Sequence, residues 1–127
     1  MLAVFAPAFS ADWREVALDD AGNRYLVDWH RIERGSGRVS ATVRTEFARP
    51  RIDARYVSGI FAMVDRIVAD CQTMSLEIES RTLVFADGRE QTVLAPDTQR
   101  GVYYPAPPGS MSEKVIVELC RSGPAPR

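Results

Sequence analysis

Cys71 and Cys120 are the only cysteines of the chain, and their surroundings decide what they can do. Cys71 closes an apolar, strand-like run from Ile60 to Asp70, whereas Cys120 lies on the apolar stripe of a helix-like segment from Ser110 to Arg121. One disulfide between them would staple helix to sheet and, in the chain-entropy model, stabilise the fold by about 4 kcal/mol. The alternative is two buried, reduced thiols, the state expected in a reducing compartment.

Other chemistry is sparse. A hydrolytic triad needs a base held against a nucleophile. The single histidine, His30, stands at a strand end between Trp29 and Arg31, the position of an edge residue. Zinc needs about four nitrogen or sulfur ligands, and Asp19-Asp20 in a turn lacks the oxygen spacing of a calcium loop. Glu77 and Glu79 could pair as acid and base, but strict alternation puts Ser75 and Arg81 on the same strand face, which reads as a solvated one. The expectation is a non-enzymatic protein with no catalytic residues, metal or cofactor.

Binding is better served. Between Arg24 and Arg55 stand eight arginines and only four acids (Asp28, Glu33, Glu46, Asp53), in a chain whose net charge is −1. Arg44, Arg49, Arg51 and Arg55 offer guanidinium forks to carboxylate, sulfate or phosphate groups, or else form a solvated stretch paired with Glu46 and Asp53. Tyr103 and Tyr104, in a proline-rich segment, are the second candidate for protein contact, unless they fold against the sheet. The overall charge argues against nucleic acid as partner. A protein partner is expected.

The elements that would carry these residues are mostly strands. Trp13 to Leu18 and Arg24 to Trp29 flank the turn-forming Asp19-Asp20-Ala21-Gly22-Asn23, predicting a hairpin. Val39, Ala41, Val43 and Phe47 alternate with Arg38, Ser40, Thr42, Arg44 and Glu46, predicting a half-buried strand. Ala48 to Arg55, with Pro50 and its charges, reads as a surface connection. Ile60 to Ala69 suits a central strand covered on both faces, with a helix as rival. Met74 to Ile78 and Thr82 to Ala86 continue the strands, and Asp87-Gly88 predicts a hairpin turn into Glu90 to Leu94. Gln99 to Gly109 reads as a loop of polyproline character. Ser110 with Glu113 forms a capping box, Met111, Val115, Ile116, Leu119 and Cys120 form an apolar stripe, and Gly123-Pro124 stop the helix. The predicted fold class is α+β: an antiparallel β-sheet of about six strands with one C-terminal α-helix packed on it.

The uncharged start, Met1 to Ala11, resembles the back half of a secretory signal, with small residues at Ala8 and Ser10 suited to cleavage. Residues 1–11 are therefore read as a signal-peptide remnant and 12–127 as a single domain. No stretch has the length of a transmembrane helix.

The order Trp13, Tyr25-Leu26-Val27-Asp28, Ile32, Arg34, Asp70-Cys71, Asp87-Gly88, Pro108-Gly109-Ser110 and Cys120 resembles the bacterial surface-adhesin protein E family over nearly the whole of residues 12–127. The resemblance implies a secreted antiparallel sheet, a C-terminal helix tied by a disulfide, and binding of extracellular host proteins. It is looser around His30, Arg31 and Ile32, where Arg31 replaces a serine. No cysteine near the cleavage site can accept lipid, so the expected location is periplasmic or extracellular without a lipid anchor. The alternative is a periplasmic structural or assembly protein that pairs through an exposed sheet edge, including with a second copy as a homodimer.

Overall fold

The computed structural model of the protein describes residues 11–121. In chain order these form β1 (Trp13–Leu18), β2 (Arg24–Asp28), β3 (Glu33–Arg34), β4 (Arg38–Arg51), β5 (Ile60–Asp70), β6 (Ser75–Phe85), β7 (Glu90–Leu94), β8 (Tyr104–Pro105) and α1 (Met111–Arg121). Short 3-10 turns occupy Trp29–Arg31 and Asp97–Gln99. The leader reading, apart from Ala11, and the Gly123-Pro124 helix stop lie outside the described residues.

Every strand pairs antiparallel in one sheet whose main path, β1-β2-β4-β5-β6-β7, has about the number of strands expected. Two-residue strands extend it: β3 pairs with β4, and β8 with β6. The hairpins form where turn chemistry placed them. Asp19 accepts from the Ala21 and Asn23 N–H groups at 2.9 Å each, and Gly22 takes the positive φ of 90° that this turn requires.

Register aligns the apolar residues. Val27 pairs with Val43, Val39 with Ala69 and Ala41 with Ile67, so one sheet face is continuously apolar under α1. Val115, Ile116 and Leu119 of the helix complete this buried cluster. A smaller cluster of Ile60, Leu83 and Phe85, with Phe47, Tyr56 and Met63 packed against it, lies toward the far end of the sheet.

The helix is fastened at both ends. The Ser110 hydroxyl accepts from the Glu113 N–H at 3.1 Å, but the reciprocal arm of the expected box differs: Glu113 accepts from the Gly109 N–H at 2.8 Å. The Ser110 N–H already donates to the Pro107 carbonyl. At the other end, Arg34 donates to the Leu119 carbonyl at 2.7 Å, satisfying one orphan acceptor of the last turn. Cys71 and Cys120 are disulfide-bonded, their Cα atoms 5.7 Å apart. Asp28, only 2% exposed, accepts from the Asp12 and His30 N–H groups and so fixes the 3-10 turn where β2 was expected to continue through Trp29.

Several sequence expectations are corrected. Residues 48–51 were expected in a surface connection, yet β4 runs on through Pro50 to Arg51. The proline is tolerated because β2 has ended, its last partner on β4 being Glu46, and the register with β5 shifts between Glu46 and Arg51. Tyr104-Pro105 was expected in a loop and instead bridges to Ser75-Leu76. β5 is not covered on both faces: Phe61 is 41% exposed, and Val64 and Val68 are half-buried on the face away from α1. A register shift where β5 passes from Arg66 to Ile67 leaves Glu79 without a partner on β5. This bulge reverses the alternation of β6 beyond it, so Arg81 points to the helix-covered face and away from Glu77.

Candidate protein-binding surface

The four arginines picked from the sequence do not share one surface. Arg44 pairs with Leu26 and Val64 across the sheet, on the face away from α1, and there it closes an ion-pair chain. Glu15 and Arg24 meet at 2.8 Å, Arg24 and Glu46 at 2.9 Å, and Glu46 and Arg44 at 2.8 Å. With its charge matched and its side chain over Phe61, Arg44 is a poor steering group.

Arg49, Arg51 and Arg55 gather at the end of β4 and in the loop to β5, all exposed. Arg55 holds Asp53 through two side-chain bonds of 3.1 and 2.8 Å. Those bonds, with the Arg55 backbone N–H, hold the Asp53 carboxyl down to about 2, so the pair stays charged at any ordinary pH. Arg51 lies over the Phe47 ring at 5.5 Å. Among the described residues neither Arg49 nor Arg51 has a carboxylate within ion-pair distance.

The same loop shows what the sequence reading missed. Ile52 is 83% exposed and Val57 fully so, although both are residues that usually go inside. Their signal was present as two branched apolar residues in a charged, proline-containing stretch, which periodicity alone could not assign to either face. Gly59 sets the base of this loop: a Cβ there would lie 2.9 Å from that of Pro50, so only glycine allows the approach. Tyr56 packs on Phe85 with ring centroids 5.2 Å apart and ties the loop to the smaller cluster.

Beneath the loop, on the helix-covered face, runs an open trough in two lobes. The larger, about 450 Å³, lies between the loop and Val93–Pro96. The smaller, about 200 Å³, reaches Ser112 and Val115 of α1. Both are lined by Arg51, Met63, Ile78 and Arg81. Arg81 binds buried Asp65 in bidentate fashion at 2.8 and 3.0 Å, an arrangement the Glu79 bulge makes possible. His30 lines neither lobe.

Tyr103 and Tyr104 stand elsewhere. Tyr103 is half-buried with Arg38 over its ring at 4.9 Å, while Tyr104 is half exposed in β8. Arg38 and Arg51 begin and end β4, on the order of 40 Å apart for an extended strand of that length, so the tyrosines and the arginine loop are separate surfaces. Glu77 accepts from the Gly101 N–H at 2.6 Å, a structural role for one member of the acidic pair. Among the described residues no group of three or more His, Cys, Asp or Glu is placed to hold a metal.

Residues 13–121 match the family model of surface-adhesin protein E. The chain belongs to this family. No curated protein and no solved structure matches it. Membership of the adhesin E family supports an adhesin-type surface role and a non-enzymatic protein, and points to an exported or extracellular location. No helix among the described residues is long and apolar enough to cross a membrane. Several positions on which the sequence resemblance rests serve the architecture: Asp28 fixes a turn, Arg34 holds the helix end, and Cys71 and Cys120 join helix to sheet.

Proposed function

We propose that this adhesin E protein is an exported, non-catalytic binding domain, comprising residues 12–127 after removal of a signal peptide, that attaches to host extracellular proteins through the loop between β4 and β5. The observation that carries this reading is the exposure of Ile52 and Val57 beside Arg49, Arg51 and Arg55. Apolar anchors supply contact area that is worth most when a partner removes water from it, and a rim of cations steers encounter. Arg49 and Arg51, with no carboxylate at ion-pair distance among the described residues, supply that steering charge.

The test is to immobilise a panel of host matrix proteins and an envelope extract, capture the domain, and follow association at two salt concentrations. Reversing Arg49, Arg51 and Arg55 to glutamate is expected to slow association about tenfold or more at low salt and to flatten its salt dependence. The exposed Arg49 and Arg51 substitutions should each alter stability by only about 0.5 kcal/mol, and the melting temperature serves as the internal control for Arg55, which also holds Asp53. Unchanged association by a folded triple variant would remove the loop from consideration.

A second reading rests on β7. All five of its residues are exposed, with Leu94 at 63%, and it forms an outer edge of the sheet. Such an edge could add a strand from an envelope component or from a second copy. Association of that kind would be nearly insensitive to salt.

A further inference from the structure

We infer that the trough beneath the β4–β5 loop seats an extended peptide segment of the partner that carries one acidic side chain between apolar ones. This rests on the protein-binding reading and names the chemistry that the site selects.

Charge decides the sign of the ligand. Three arginines (Arg51, Arg55, Arg81) and two aspartates (Asp53, Asp65) line the two lobes. Asp53 is held by Arg55 and Asp65 by Arg81, which leaves Arg51, near Asp53 but outside ion-pair distance of it, as the lining cation free to bind a carboxylate directly, and Arg51 lines both lobes. Its stacking on Phe47 limits the freedom it would lose on binding a carboxylate. Arg81 uses Nε and Nη2 on Asp65, and its other N–H groups have no protein acceptor among the described residues. A guanidinium offers five donors, so Arg81 can add a hydrogen bond without giving up its own pair.

The rest of the lining decides the class. Met63, Ile78 and Leu83 give the floor an apolar surface, and Val93–Pro96 forms one wall. The lobes join through shared residues and stay open to solvent, a shape suited to a chain laid along it. Apolar side chains would rest on the floor while the acidic one meets Arg51. This acidic segment complements the cationic loop above it, so one partner could engage both.

The experiment is an NMR titration of the domain with acetyl-Leu-Glu-Leu-Val-amide, its Gln counterpart, and hexanoate as a carboxylate without a peptide. The Glu peptide should shift Met63, Ile78 and the Arg51 side chain, and bind at least about fivefold more tightly than the Gln peptide, since hydrogen bonds to charged acceptors are the stronger kind. Arg51→Gln should remove most of that difference, leaving only what Arg81 supplies, and Arg51→Lys, which keeps the charge without the fork, should keep a larger part of it. Equal binding of the Glu and Gln peptides, tighter binding of hexanoate than of the peptide, or shifts confined to the Tyr103 and Tyr104 region would each overturn the inference. If the peptides behave as stated but no partner protein is ever captured, the trough assignment stands and the host-binding reading falls. If a partner is captured and the peptides do not discriminate, the inference alone falls.

Discussion

Replacing both Cys71 and Cys120 by serine will cost the domain about 4 kcal/mol. The bond closes a loop across a sequence separation of 49, and confining a loop of that length in the unfolded chain is worth about that much in the entropy model. It ties the turn after β5 to the last turn of α1, so its loss frees the helix that covers the main cluster. For a domain of this size the melting temperature should fall by roughly 15 °C or more. Urea unfolding separates the causes. If the constraint acts on the unfolded chain, the serine variant should show a steeper denaturant dependence, because its unfolded state exposes more surface. A loss below about 1 kcal/mol would mean that the helix is held by packing alone.

Ile116→Ala is the second large effect, at about 3 kcal/mol. Ile116 is fully buried in the main cluster between helix and sheet, and truncation there removes both the transfer energy of the lost carbons and the contacts around the cavity. Alanine's better helix propensity returns only a few tenths. Val117, the next residue, is 40% exposed, so Val117→Ala should change stability by about 0.5 kcal/mol or less. Equal losses in the two variants, measured by the same urea unfolding, would show that α1 packs by a different face.

The helix and the main strands were legible because their signals are local. The Ser110 cap, the stripe ending at Leu119 and Cys120, and the turn residues around Gly22 and Gly88 each specify their element within a few residues. What the sequence concealed depends on register. The bulge at Glu79 carries no mark of its own, yet it moves Arg81 from the Glu77 face to the trough floor, where it meets Asp65. Pro50 argued for a loop, and only the early end of β2 lets a strand pass through it. The arginine cluster was visible as composition, but alternation along β4 and the partner Glu46 separate Arg44 from the others. Ile52 and Val57 look like core residues by type, and only the fold shows them facing solvent.

The β4–β5 loop is the proposed place where this adhesin E domain meets its partner. Site-specific photo-cross-linking tests it most directly, with a photoreactive side chain placed in turn at Val57 in the loop, Thr92 on β7 and Tyr104 on β8, and each variant exposed to the same mixture of host matrix proteins and envelope extract. Position 57 should yield a cross-linked partner that fades as salt is raised, with little from 92 or 104. Cross-links from position 92 or 104 with none from 57 would contradict it and would move the contact surface to the sheet edge or to the tyrosines.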